Sequence, residues 1–217
     1  MPRDATETKA RLLRDARRLF ATRGVYQVTV REIVDAAGQR NVSALTYHFG
    51  SREGLLEAIL IQHGDLTDIE RGEELARIGR DAGSRELVDA LVVPYAAHLS
   101  TPEGRDYLRI VAQLAPLFSA WREANPGTGP YLLEILGILE QRPEHLPAAV
   151  RRERVVEMIM LMTVALAERA RMIESGEILE LDEPTFADNL TDVLVGVLEA
   201  PHSPRVHHGR AASDLVT

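Results

Sequence analysis

Residues 29–56, TVREIVDAAGQRNVSALTYHFGSREGLL, decide the fold, because they read as two short helices that meet at a glycine. Thr29 stands where an N-cap belongs, and Glu32 three positions later completes a capping box. Val30, Ile33, Val34 and Ala37 make one apolar stripe at helical spacing. Gly38 follows, a residue that tolerates the positive φ of a helix stop. A turn over Gly38-Gln39-Arg40-Asn41 leads into a second helix, from Val42 to Phe49. At about 100° per residue, Val42, Leu45 and Phe49 share one side of it, while Ser43, Ala44, Tyr47 and His48 point the other way. A two-turn helix held by three apolar side chains, with small and polar groups outward, has the form of a recognition helix in a DNA major groove.

The chain just upstream supplies the rest of a bundle. Residues 6–24, TETKARLLRDARRLFATRG, predict a helix that turns Ala10, Leu13, Ala16, Arg17 and Phe20 inward and stops at Gly24. Three such helices make the smallest bundle that buries the back of a helix-turn-helix. The order of Phe20 before its glycine, Thr29-Val30-Arg31-Glu32-Ile33, Ala37-Gly38, and Tyr47-His48-Phe49 followed by Ser51-Arg52-Glu53 resembles the DNA-binding domain of the TetR family of bacterial one-component repressors. The resemblance covers about residues 8–60. The sequence departs from the family pattern in two places: its Gln39-Arg40-Asn41 turn is one residue longer than the usual Gly-Val-Ser, and Thr46 stands where an aromatic is common. The resemblance implies an all-α protein of about nine helices. A three-helix DNA-binding headpiece (residues 1–50) would precede a larger helical ligand-binding and dimerisation domain (residues 51–200).

Composition and charge fit that organisation. With 217 residues and 45% apolar content, the chain has enough to bury a headpiece and a larger helical body. No window approaches the roughly 18 apolar residues of a membrane span. The N-terminus carries no charged-then-apolar secretion signal, and the absence of cysteine excludes disulfide and thiol chemistry, so a cytoplasmic setting is expected. The net charge of -8 is unevenly divided. Residues 1–63 carry ten Lys/Arg against seven Asp/Glu, and the remainder fifteen against twenty-six. The positive excess lies where phosphates would sit, and the acidic body would repel DNA from the wrong face.

Contacts to double-stranded DNA divide by chemistry into positioning and reading. Thr29, Tyr47, His48 and Arg52 carry hydroxyl, imidazole or guanidinium groups suited to phosphate oxygens, Thr46 is a further candidate DNA contact, and the resemblance assigns the backbone to Tyr47, His48 and Arg52. Reading of bases falls to Arg31, Arg40, Asn41, Ser43 and Ala44. Arginine bridges guanine O6 and N7, asparagine bridges adenine N6 and N7, and alanine touches a thymine methyl. Two of these have a plainer alternative: Thr29 as a cap alone, and Arg31 paired with Asp35 one turn on.

Beyond residue 60 the pattern is helical without strand alternation. One long helix is expected from Ser51 to about Arg80. The next is capped by Ser84 and kinked at Pro94, and another starts at Thr101-Pro102. Further helices are expected over 130–142, 147–175 and from Asp182 or Pro184 to Glu199. Residues 201–217, rich in Pro, His, Arg and Ser, read as a mobile tail. The segment VVEMIMLMTVALA, 155–167, is apolar nearly all round and calls for protein on both sides. With the last helix it predicts a homodimer face of Val155, Ile159, Met162, Leu166, Phe186, Leu190, Val193, Leu194 and Val197, a four-helix interface as the family resemblance implies. A homodimer also matches a palindromic operator with half-sites about 34 Å, or a multiple, apart.

The resemblance further implies a small-molecule effector held in the body. The side chains suited to such a pocket are His63, Tyr95, His98, Tyr107, Phe118, Trp121, Met158 and Met162, each equally at home in an ordinary core. Enzyme signatures are missing: there is no HExxH, no phosphate loop after a strand and no GxSxG, so neither catalysis nor a cofactor is expected. His202, His207 and His208 belong to a polar tail, which explains them without a metal. The sequence thus points to a DNA-binding regulator, a repressor released by its ligand. Its rivals are a helical ligand-binding protein or enzyme with an unused headpiece, and an activator or nucleoid-type binder of the same fold.

Overall fold

The computed structural model describes residues 2–116 and 128–202, and the described chain is helical throughout, with no strand. Among the described residues, nine α-helices follow in order: α1 (Pro2–Arg23), α2 (Val30–Ala36), α3 (Ser43–Phe49), α4 (Arg52–Ile78), α5 (Ser84–Ala96), α6 (Pro102–Leu114), α7 (Pro130–Glu140), α8 (Ala148–Ser175) and α9 (Glu183–Glu199). A 3-10 turn, Ala97–Ser100, joins α5 to α6. Phe118 and Trp121, and the tail beyond His202, lie outside the described residues.

The headpiece closes around Leu12, Ala16 and Phe20 of α1, Ile33 and Val34 of α2, and Leu45 of α3. Two expectations are corrected here. Ala10 is exposed, and the inward stripe of α1 is set instead by Leu12, Ala16 and Phe20 at i, i+4, i+8. Val42 is 43% exposed, because α3 begins one residue later than the apolar pattern indicates. The Asn41 side-chain oxygen accepts from the Ser43 N–H at 3.0 Å, so an Asx turn leads into the helix and leaves Val42, its N-cap, at the rim.

Leu55 and Ile59 of α4 and Ile110 of α6 complete the headpiece core, so its packing extends into helices of the body. Gly54 is required at this seam, since a Cβ there would come within 2.2 Å of the Phe49 carbonyl oxygen. Polar struts reinforce it. Gln113 of α6 accepts from the Val25 N–H at 2.7 Å and donates to the Phe20 carbonyl at 3.1 Å. Arg17, almost fully buried on α1, lies 3.6 Å from Asp106 and 3.5 Å from Glu103.

A second core, in the body, draws on α5, α7, α8 and α9 with Leu75 of α4 and Leu108 of α6. Pro94 is accommodated inside α5, and the helix gives way to the 3-10 turn only after Ala96. Its N-cap is Gly83 rather than Ser84, with the Glu86 carboxylate accepting from the Gly83 N–H at 2.6 Å. The α8 and α9 helices run antiparallel. Arg154, near the start of α8, donates to the Leu198 carbonyl at 2.7 Å, and Arg169, near its end, donates to the Leu181 carbonyl before α9.

The dimer face expected from sequence is largely used up by this packing. Val155, Ile159, Met162, Leu166, Leu190 and Leu194 are all at or below 5% exposure in the single chain. They are core residues of one protomer. Phe186 and Val197 are half-buried, and Arg169 covers the Phe186 ring at 4.7 Å. Of the expected set, Val193 stands out at 46%, and on α8 the exposed apolar side chains are Met160, Leu161 and Val164.

Candidate nucleic-acid interface

The short α3 helix is fixed from behind and open in front. Leu45 is buried, and Ala44 and Phe49 are half-buried against the headpiece core. Outward lie Ser43, Thr46 and Tyr47, the last 82% exposed with its ring edge-on to His48 at 5.0 Å. An aromatic of that size left in water at the tip of a two-turn helix contributes nothing to the core. Ala44 departs from expectation, since its methyl packs inward rather than standing free.

The other site residues from the sequence sort by what already holds them. Arg40 is exposed, and Asn41 is exposed with its oxygen committed to the Ser43 N–H, leaving its amide N–H groups to donate. Arg31 is largely exposed, its Nε 3.0 Å from the Asp35 carboxylate. Thr29 caps α2: its hydroxyl accepts from the Glu32 N–H at 3.3 Å and donates back to the Glu32 carboxylate at 2.8 Å. Together with the Thr29 N–H and Arg23, these bonds hold the Glu32 carboxyl below its ordinary range.

Arg52 is the clear reversal. Its Nε donates to the Val28 carbonyl at 2.8 Å, its guanidinium lies 4.9 Å over the Phe20 ring, and its side chain is only 18% exposed. The first residue of α4 points back into the bundle and ties α4 to the loop before α2, so it is a strap and not a free cation. Nothing in its spacing signalled this. The carbonyl it satisfies ends up beside it only once three helices have packed.

In the body, the structure brings together His63, Tyr95, His98 and Tyr107, four of the side chains named from sequence. The His63 and Tyr107 rings stack at 4.9 Å, and His98 lies 4.8 Å from Tyr107 and 5.5 Å from His63. Thr67 fixes His98 through an Oγ1–Nε2 contact of 2.7 Å. Burial, with neighbouring His63 and Arg71, lowers the His98 pKa to about 4, and burial lowers that of His63 as well. Met158 and Met162 are buried in the same body core as Tyr95 and Tyr107. Sequence reading missed Thr67 and Arg71. Both continue the α4 stripe begun by His63 at i+4 and i+8, a signal that was available but masked by the charged run around them. No group of three metal-ligating side chains occurs among the described residues, and none of their helices is long and apolar enough to cross a membrane.

Comparison with known proteins matches this geometry. Residues 12–59 fit the family model described as bacterial regulatory proteins, tetR family. Over 96 residues the chain is 41% identical to the HTH-type transcriptional repressor KstR2 of Rhodococcus jostii (strain RHA1), a match spanning 42% of this chain and 45% of that protein. The chain therefore aligns with a little under half the length of that curated relative. Its fold is similar to that of a Rhodococcus sp. protein assigned to the TetR-family regulators, with a TM-score of 0.56 and 20% identity over 89% of this chain and 100% of the other. It is likewise similar to NalD, the secondary repressor of the MexAB-OprM multidrug efflux pump in Pseudomonas aeruginosa, with a TM-score of 0.54 and 19% identity over 89% and 96%. The headpiece, residues 12–59, is thus a helix-turn-helix of the bacterial tetR-family type, and the all-helical body has a fold similar to that of solved regulators.

Proposed function

We propose that the protein is a transcriptional repressor that binds a palindromic operator as a homodimer and leaves it when a small molecule occupies the body. The observation that carries this is α3 itself: a buried Leu45 behind, and Tyr47 at 82% exposure in front. In this reading Thr46, Tyr47 and His48 seat the helix on phosphates, while Arg31, Arg40, Asn41 and Ser43 reach base edges. Thr29 acts through its cap, and Arg52 by holding α4 against the bundle. The KstR2 match lends support to repression as the sign of control.

Dimerisation uses the exposed strip of α8, with Met160, Leu161 and Val164 at its centre, beside Val193 of α9. At 100° per residue, Glu157, Met160, Leu161, Val164, Glu168 and Arg171 fall within one sector of α8. An apolar centre with a charged rim is the usual anatomy of an interface.

Selection of binding sites from random duplexes, repeated at two salt concentrations, tests the proposal. The expected result is a twofold-symmetric site, with affinity falling steeply as salt rises because several phosphates are neutralised. Tyr47→Ala should weaken that site by about tenfold, the loss of one good contact. A broad footprint without symmetry, or a Tyr47→Ala protein that binds as tightly as the parent, rules the reading out.

A further inference from the structure

Arg71, on the body-facing side of α4, is a buried cation with no ion-pair partner among the described residues. It is 5% exposed, and its Nε has no hydrogen-bond partner. Arginine does not shed its proton in proteins, so this charge persists wherever it is buried. The nearest acid on the same helix is already engaged. Asp68 accepts from the Tyr131 N–H at 3.1 Å and the Leu132 N–H at 2.7 Å, and so caps α7. Gly129 preserves that arrangement, since a Cβ there would run into the Asp68 carboxylate.

The phenol beside Arg71 is also a donor without an acceptor. The Arg71 guanidinium lies 5.9 Å from the Tyr95 ring centre, and the buried Tyr95 hydroxyl has no partner. Burial holds that phenol protonated, leaving it a neutral donor. His63, two turns earlier on α4, has an unpartnered Nε2 and stacks on Tyr107 at the far side of the cluster. The imidazoles of His63 and His98 are kept neutral by burial, so the charge of Arg71 is met only at longer range, by Asp68 and Glu70 of its own helix.

We propose that Arg71 and Tyr95 form the anion-binding end of a site for a small apolar molecule carrying one carboxylate. The inference rests on the effector reading above and names the chemical class of that effector. A carboxylate supplies one negative charge and two coplanar oxygens, which match a guanidinium edge with a phenol beside it. A phosphate ester brings up to two charges and would leave one uncompensated, because the neighbouring rings contribute none. The aromatic walls of Tyr95 and Tyr107, continuous with the body core, suit an apolar remainder.

Thermal unfolding and titration calorimetry on the full chain test this with octanoate and 3-phenylpropionate, their primary amides, and octyl phosphate as probes. The carboxylates are expected to raise the melting temperature and the amides to leave it unchanged. Arg71→Met and Tyr95→Phe should each weaken carboxylate binding, the former about tenfold or more. Without ligand, Arg71→Met should melt at or above the parent temperature, since it removes a buried charge that has no ion-pair partner. An unliganded Arg71→Met that melts well below the parent makes Arg71 a structural residue and overturns the proposal. Equal binding of acids and amides, no binding of either, or a preference for octyl phosphate overturns it as well. These measurements contain no DNA. A failed operator selection beside an intact carboxylate preference sinks the regulator reading alone, and the converse sinks only the ligand class.

Discussion

Arg52 and Tyr47 stand five residues apart and carry similar promise in the sequence, yet the fold gives them opposite tasks. A guanidinium finds an unsatisfied carbonyl at Val28 and a ring face at Phe20, and is drawn inward. A phenol with no cavity to enter stays in solvent. His98 shows the same dependence on surroundings in its protonation. With its pKa pushed down to about 4, against an ordinary 6.5, the folded chain resists protonation that the unfolded chain accepts. Between pH 6.5 and about 4 the unfolded state therefore binds more protons, and stability falls as pH falls, by at most about 3 kcal/mol from this residue. Denaturant midpoints measured from pH 7 to pH 4 should decline through that window, and less steeply in His98→Gln. His63, shifted in the same direction, adds to the slope. A midpoint that is flat down to pH 4 contradicts this burial of the imidazoles.

Helix α6 does at the element scale what neither domain does alone. Tyr107 places one turn of it in the polar cluster, Ile110 enters the headpiece core, and Gln113 bonds the end of α1 and the loop after it. A shift of α6 provoked at Tyr107 is thus felt within two turns at the headpiece. Gln113→Leu would leave the part-buried Val25 N–H and Phe20 carbonyl short of a partner, at a cost of about 1–3 kcal/mol. Hydrogen exchange should speed up in α1 and α2 while α8 and α9 remain protected; uniform loss of protection instead would mean that α6 is no joint between separable parts. This helix marks the border of what the sequence disclosed. The α2 cap, the Gly38 stop, the Thr101-Pro102 start and the Asp182 cap are local signals and were legible. Gln113, Arg52 and Arg71 act through partners 88, 24 and 24 residues away, as with Val25, Val28 and Tyr95, and such pairings exist only after folding. The late start of α3 was hidden for a related reason: the Asn41–Ser43 turn that delays it involves a side chain whose chemistry suits a base contact as well.

For the whole molecule, the distinction between Val193 and Leu194 decides how two chains would meet. Sequence periodicity groups them on one apolar stripe, but in the fold Leu194 is fully buried in its own protomer and Val193 is 46% exposed. Residues 64–217, with twenty-six Asp/Glu against fifteen Lys/Arg, repel a second copy over most of the body's surface, so association must concentrate where charge is thin. The strip of Met160, Leu161 and Val164 with Val193 meets that condition, and Gly196, one turn beyond Val193, has open space above it that lets another backbone approach. Val193→Glu buries an unpaired carboxylate only if a second chain covers that position, at a cost of several kcal/mol per site, doubled by the twofold axis. Sedimentation should then report a monomer with unchanged helical content, and operator affinity should collapse because one recognition helix must act without its mate. Leu194→Glu places the same charge in the protomer core and should unfold the body itself. A Val193→Glu protein that still sediments as a dimer would move the interface to another face of the molecule and leave the spacing of the two α3 helices to be set there.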